Sequence, residues 1–431
     1  MDTSRLGSGA APGTGWRSRL ATVAAVIAFA LVVLAAAPAD TPTSDLLFDQ
    51  SVVNDFRLTM KPGDWDTLRA TYLEDTYYPA DVGWQGQVVP IVGVRSRGSG
   101  SRNPYKPGLK VDFGRYLDQK FVGLKSVVLA NAVQDPAMLK QRVAMLMYAR
   151  MGLPAPRVAH VRVYINEEYL GLYMLIEPID KNFLARVYGT DGTGKTENGG
   201  YLYEYAWKDG YEWDYLGADL RIYAELFEPK TRETEAPSLL YGPLEDMFRT
   251  FNDVRDDDFE REVGASVDLR QFVQYLAIEN FISEYDGFLG FWGPNNFYTY
   301  RFQGRQVSQL IPWDKDLAFW AIDRDIFQGV TANVLARRAL AIPWLHRTYL
   351  ETLLACAASA MAPASLDSPV GWLEAEVLKE TAQIHAAGYG DMRKPFTNER
   401  FDDELGKVLQ FARERGPYVV REAQKALGWI E

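Results

Sequence analysis

Three groups of oxygen-bearing side chains in the second half of the chain are spaced as chemistry would need them. Ile278-Glu279-Asn280-Phe281-Ile282-Ser283-Glu284-Tyr285-Asp286 ends an apolar helical run on a carboxylate. Gly293-Pro294-Asn295-Asn296-Phe297 then brings an amide pair to the start of a strand. The returning strand runs into Ile311-Pro312-Trp313-Asp314-Lys315-Asp316. Carboxylate and amide oxygens therefore gather at the end of one helix and at both mouths of one hairpin. Hard cations such as Mg²⁺ take oxygen ligands, few from protein and the rest from phosphate and water. Phosphoryl transfer uses such a cation together with a carboxylate that orients or deprotonates the attacking hydroxyl. The order helix, Asp, loop, Asn, hairpin, Asp suits that purpose. The same residues also suit plain structural ends, with Asp286 and Asn295 as turn caps and Asp314 and Asp316 as solvated surface groups. Residue types alone leave both open.

The elements that must hold these groups are read from periodicity and turn signals. Strands are expected over 46–58, 88–95, 109–113 and 126–129. Asp135-Pro136 opens a helix, with Asp135 as cap and Leu139, Val143, Met147 and Met151 at helical spacing. Residues 161–165 and 171–177 flank Asn166-Glu167-Glu168 as a hairpin. Residues 179–188 read as a helix and 200–205 as a strand. Helices are expected over 243–252, 268–283 and most of 335–427, and a hairpin turns at Gly304. A strand-rich first half and a helix-rich second half imply an α+β, two-lobed architecture, with an N-lobe over 46–235 and a C-lobe over 236–431 that carries the hairpin 286–316.

Composition narrows the function classes. The 431 residues are 47% hydrophobic and 24% charged, with 24 Tyr, 21 Phe and 11 Trp, which suits a packed fold. Net charge is -11; residues 1–39 carry Asp2 against Arg5, Arg17 and Arg19, so the rest of the chain is more acidic still. An acidic body argues against a nucleic acid polymer as partner. It suits a basic or Ser-rich protein substrate or the binding of cations, and equally solubility alone. The one cysteine, Cys356, excludes an internal disulfide, and the three histidines, His160, His346 and His385, form no zinc-binding spacing. No G-x-S-x-G elbow accompanies them. Two-carboxylate glycoside hydrolysis finds no fixed acid and nucleophile pair. Gly189 to Thr196 spells G-x-x-x-x-G-K-T, but a helix precedes it and a strand follows. A phosphate-binding loop needs the reverse order, so a polar turn is expected there.

Arg17 and Arg19 precede an apolar run from Leu20 to Ala37, and Ala37-Pro38-Ala39 follows. This is the pattern of a signal peptide, or of a membrane anchor through residues 20–37 if uncleaved. The body is expected outside the cytoplasm, in the envelope or secreted.

Several segments, in shared order, resemble the CotH kinase family. They are Arg97-Gly98-Ser99 with Tyr105-Lys106-Pro107, then Leu109-Lys110-Val111-Asp112-Phe113 and Phe121-Val122-Gly123-Leu124-Lys125. Val163-Tyr164-Ile165-Asn166, Tyr169-Leu170-Gly171-Leu172-Tyr173 and Glu177-Pro178-Ile179-Asp180 follow. Asn296-Phe297-Tyr298-Thr299-Tyr300 and Ile311-Pro312-Trp313-Asp314-Lys315-Asp316 complete the set, so the resemblance spans roughly 46–325. It implies an atypical protein-kinase-like fold that uses ATP with Mg²⁺ or Mn²⁺ to phosphorylate Ser/Thr of envelope or coat proteins. By the same resemblance Asp286 is the catalytic carboxylate. Asn296 and Asp314 hold metal, with Asp316 as the fallback for Asp314. Lys106, or else Lys110, contacts phosphate, and Glu177 pairs with that lysine. The Arg97–Ser101 loop, which includes Ser99, either covers the phosphates by backbone amides or is an ordinary hairpin turn. The sequence departs from a standard kinase in lacking H-R-D, D-F-G and a full G-x-G-x-x-G. A non-catalytic envelope or coat protein that keeps the fold as a binding module is the alternative.

Overall fold

Seven strands close into a barrel, some alternating apolar and polar residues and others, such as Val127-Val128-Leu129, buried on both faces. The computed structural model describes residues 43–190 and 193–429. Within them β1 (Asn54–Met60), β2 (Tyr78–Trp84), β3 (Gln87–Arg97), β4 (Gly108–Asp112), β5 (Ser126–Ala130), β6 (Val158–Ile165) and β7 (Glu168–Ile176) follow the spatial order β1-β2-β3-β4-β5-β7-β6. Neighbours are antiparallel except at the seam, where β1 pairs parallel with β6. Phe56, Val94, Val111, Val127, Val163 and Leu175 point inward and are fully or almost fully buried. Burying each such side chain contributes about 1.5–3 kcal/mol. A strand's period of two then fixes what faces out. Arg95 and Arg97 of β3 and Lys110 of β4 alternate with inward Val94, Ser96, Leu109 and Val111, and Arg95 stands opposite Lys110 in the register.

A second sheet has the order β11-β10-β8-β9, from β8 (Tyr201–Tyr205), β9 (Phe227–Pro229), β10 (Phe297–Arg301) and β11 (Ser308–Pro312). It takes strands from both sides of residue 235, so the expected lobe boundary there is crossed by β-pairing (Tyr298↔Glu204 to Arg301↔Tyr201). Its core is aromatic. Trp213 packs against Phe248, Phe251, Phe288 and Phe297 at ring-centroid distances of 4.8 to 5.9 Å. This core is separate from the barrel interior, giving a two-lobed α+β fold.

Two expected boundaries shift. The opening strand begins at Asn54, after a short 3₁₀ turn at Ser44–Leu46. The helix expected from Pro136 starts at Lys140. Asp135 still binds the backbone N–H of Ala137 and of Lys140, but Met138 adopts φ 56°, which no helix tolerates. The Gly189 segment does follow helix Lys181–Tyr188 and lead toward β8.

Helix Leu269–Phe281 is buried nearly all round, as a central core helix should be. Its C-terminal carbonyls are satisfied by a residue far away in sequence. The buried Arg415, on helix Asn398–Ala426, donates to Asn280 O (2.7 Å) and Phe281 O (3.0 Å), and also to Ile322 O and Arg324 O (both 2.7 Å). The C-terminal helices thereby set the end of the helix that delivers Asp286. Among the described residues no helix is long and apolar enough to cross a membrane. The stretch 1–39, with the export signal or anchor expected in it, lies outside the described residues.

Candidate active site

The loop after helix Leu269–Phe281 is wound around one buried carboxylate. Ser283 turns the chain through φ 51°. Glu279 Oε2 accepts the Leu289 N–H at 2.8 Å, and Glu279 Oε1 accepts from Lys315 Nζ at 2.8 Å. Gly287 lies so close that a Cβ there would meet Glu279 Oε1 at 2.2 Å. This winding presents Asp286. The Asn295 amide donates to Asp286 Oδ1 (3.0 Å), and the Asn296 amide donates to Asp286 O (2.8 Å) and Oδ2 (3.1 Å).

Asn296 and Asp314 flank the hairpin β10–β11, both at positive φ (57° and 47°). The two turns are locked together: Trp313 N donates to Asn296 O at 3.2 Å, and Lys315 Nζ reaches the same oxygen at 2.9 Å. Asp286, Asn295, Asn296, Asp314 and Asp316 all line one cleft of about 950 Å³. The facing wall is the loop Gly98–Arg102. Arg102 ties that loop down by donating to Gly98 O (2.8 Å) and pairing with Asp75 (2.5 Å), while Asn131 donates to Ser101 O (2.9 Å). Tyr285 beside Asp286 stacks on Phe291 and meets Trp292 and Trp320, leaving an exposed aromatic rim at this mouth.

The cleft floor concentrates acidic oxygens. Burial raises the Asp286 carboxyl above its usual range, opposed by the Asn295 and Asn296 amides. Burial raises Asp314 too, opposed by Arg97 and Lys315. Asp316 is raised furthest, by burial and then by the charges of Asp314, Asp135, Glu284 and Asp286. Among the described residues the carboxylates of Asp314 and Asp316 have no hydrogen-bond or ion-pair partner, and Asn296 Oδ1 has none either. Acidic oxygens held together without a direct ion-pair partner fit a divalent cation. No group of three or more His, Cys, Asp or Glu side chains among the described residues closes a metal shell by itself. That donor set suits a metal sharing its shell with phosphate and water.

The structure brings together Asp286, Asn296, Asp314, Asp316, Arg97 and Ser99. Lys110 lines the adjoining part of the same cleft, which shares Arg95, Arg97, Glu204, Lys230 and Trp313 with it. Two expected residues are elsewhere. Lys106 is fully buried, with Nζ 2.7 Å from Asp391 and 2.9 Å from Leu172 O, and it is not among the residues lining the cleft. Glu177 pairs with Arg157 (2.9 Å) and Arg186 (2.5 Å), not with a lysine. Sequence reading also passed over Glu279, Lys315 and Arg415. Only the Lys between the two aspartates of Asp314-Lys315-Asp316 offered a signal.

The family model for the CotH kinase protein matches residues 94–419. That span includes the cleft and reaches through the C-terminal helices, which the sequence resemblance left out. The chain is 24% identical over 381 residues to the inner spore coat protein H of Bacillus subtilis (strain 168), covering 86% of this chain and 98% of that protein. Among solved structures, the Helicobacter pylori proinflammatory kinase CtkA shares 12% identity over 75% of this chain and 94% of its own, with a TM-score of 0.30, a likeness too slight to carry an argument. On the family match, the chain belongs to the CotH kinase protein family.

Proposed function

We propose that this protein transfers the terminal phosphoryl group of ATP, with Mg²⁺ or Mn²⁺, to Ser/Thr hydroxyls of a protein substrate. The observation that carries the reading is the convergence of Asp286, Asn296, Asp314 and Asp316 on one cleft beneath the Gly98–Arg102 loop. Asp286, oriented by two amides, accepts the proton of the attacking hydroxyl. Burial raises its proton affinity, which suits a group that must accept a proton. Asn296, Asp314 and Asp316 would hold the divalent cation, which when bound neutralises charge on the transferred group. Arg97 and Lys110 face the donor phosphates from the barrel, replacing the lysine expected at 106. The family and the coat-protein relative support an exported enzyme acting on envelope or coat proteins, with a basic or Ser-rich substrate matching the acidic chain.

Incubation with γ-labelled ATP and Mg²⁺ or Mn²⁺ tests this. Label on the protein itself or on a basic, Ser-rich protein is expected. It should be lost in Asp286→Ala and Asp314→Ala. Absence of both transfer and nucleotide binding, with either metal, would leave a binding module that merely keeps the fold.

A further inference from the structure

The cleft continues past Arg97 and Trp313 into a second chamber of about 720 Å³, between the outer face of β3–β4 and the sheet β8–β11. Its inner wall carries Arg95, Arg97, Lys110 and Lys230 beside Asp112, Glu204 and Glu233, with Arg95 paired to Asp75 and Lys230 to Glu204 and Glu228. Its rim carries the exposed Lys120, Lys125 and Lys181. In a chain of net charge -11 this concentration of cations is a marked local reversal. Much of it is uncompensated. Among the described residues Arg97, Lys110, Lys120, Lys125 and Lys181 make no salt bridge. Lys110 is half-buried, and burial together with Arg95, Lys230 and Arg97 lowers its proton affinity. A cleft in which one sign of charge predominates concentrates counter-ions of the other.

The chamber offers a purine base little. The rings that line it, Tyr298 and Trp313, are buried and packed edge to face at 5.6 Å. The guanidinium of Arg97 lies 5.5 Å from the Trp313 ring centroid. Asp180, on the wall toward helix Lys181–Tyr188, spends its carboxylate on the N–H groups of Asn182 and Phe183. The cations left without an ion-pair partner among the described residues, Arg97, Lys110, Lys120, Lys125 and Lys181, run from the acidic floor to solvent and outnumber the acidic groups that remain, Asp112 and Glu233.

We propose that this gallery holds the donor by its phosphates rather than by its base, so that a linear condensed phosphate binds there and donates its terminal phosphoryl group. The inference rests on the kinase reading above and deepens it by naming the donor class. In the step, the acceptor hydroxyl oxygen forms the new P–O bond. The bridging P–O bond of the donor breaks, the hydroxyl proton passes to Asp286, and the chain departs one phosphate shorter. No oxidant or further reactant is needed.

Calorimetric titration of the full chain in Mg²⁺, with tripolyphosphate, ATP and adenosine, tests the binding. Tripolyphosphate is expected to bind within about tenfold of ATP, and adenosine neither to bind nor to compete. Lys110→Ala should weaken both phosphates by about tenfold or more. The triple substitution of exposed Lys120, Lys125 and Lys181 by Ala should leave tripolyphosphate unaffected and weaken a long-chain polyphosphate. Labelled polyphosphate should then transfer label to the acceptor. The proposal is overturned if ATP binds while tripolyphosphate is about a hundredfold weaker, or if adenosine competes. Equal displacement by sulfate overturns it as well, since the gallery would then attract anions at large. Transfer from ATP with none from polyphosphate rejects the donor class and leaves the kinase reading standing. Binding of neither ATP nor tripolyphosphate removes both.

Discussion

Lys315 Nζ lies 2.8 Å from Glu279 Oε1 and 2.9 Å from the carbonyl oxygen of Asn296, with both side chains fully buried. One ammonium therefore joins the helix that delivers Asp286 to the turn that delivers Asn296 and Asp314. Burial alone would strip its proton, but Glu279 holds it in the charged form. Removing one member of such a pair leaves an uncompensated buried charge, at a cost of about 3–5 kcal/mol.

Lys315→Met is accordingly expected to destabilise the fold by that amount and to loosen the site. Denaturant unfolding reads the first effect, and the affinity for nucleotide with Mg²⁺ reads the second. A stable Lys315→Met protein with unchanged nucleotide binding would show that the pair positions nothing.

The two ends of the constellation should separate in their kinetics. Asp286→Asn keeps the shape but cannot take a proton. It is expected to lower kcat by about 10²–10⁴-fold with little change in KM for ATP. Asp314→Asn removes a charge from the cation site, so it should weaken metal-dependent nucleotide binding as well as turnover. Steady-state rates at varied Mg²⁺ distinguish the two. Identical effects of both variants on metal affinity would contradict the division of roles.

Much of the architecture was legible because it follows from periodicity. Alternating Val94-Arg95-Ser96-Arg97 gives an inward and an outward face at once, and the outward face is the basic wall. Short-range order likewise placed Asp286, Asn296 and Asp314, since helix end and hairpin mouths are adjacent in the chain. What could not be read was closure at long range. Nothing in residues 54–58 says that they pair parallel with 161–165. Nothing local says that Arg415 caps a helix ending at Phe281. Lys106, carried over by the family resemblance, misled for the same reason: its counter-ion, Asp391, is far off in sequence, so nothing local marked the lysine as already paired.

That correction has its own test. Asp391 also accepts the Leu172 N–H at 3.0 Å, so it joins the C-terminal helices to the barrel through Lys106. Lys106→Met should cost about 3–5 kcal/mol of stability. Affinity for nucleotide should stay within about threefold at a temperature where the variant is folded. Thermal unfolding and titration, run on the same sample, give both numbers. A large loss of nucleotide affinity without loss of stability would return Lys106 to the phosphate site.

Glu284 makes the stability of the site region depend on pH. It is fully buried; its Oε1 accepts the Asp286 N–H at 3.0 Å and its Oε2 has no partner among the described residues. Burial pushes its carboxyl from the ordinary 4.5 up to about 7; Lys315 and the Asp286 N–H oppose the rise, and the charges of Glu279 and Asp286 add to it. The folded state thus holds this proton more tightly than the unfolded chain does. Its contribution to stability is present in full below about pH 4.5, falls as pH rises toward 7, and is flat above, for a total of up to roughly 3 kcal/mol. Asp286, Asp314 and Asp316 are shifted in the same direction, so the wild-type slope alone does not isolate Glu284. The difference between wild type and Glu284→Gln does, because Gln keeps the acceptor for the Asp286 N–H and cannot ionise. Urea unfolding in chelator from pH 5 to 8 should show the Glu284→Gln protein gaining on wild type as pH rises, with the gain levelling off near 7. A constant difference across that range would mean that Glu284 keeps an ordinary carboxylate pKa in the folded protein.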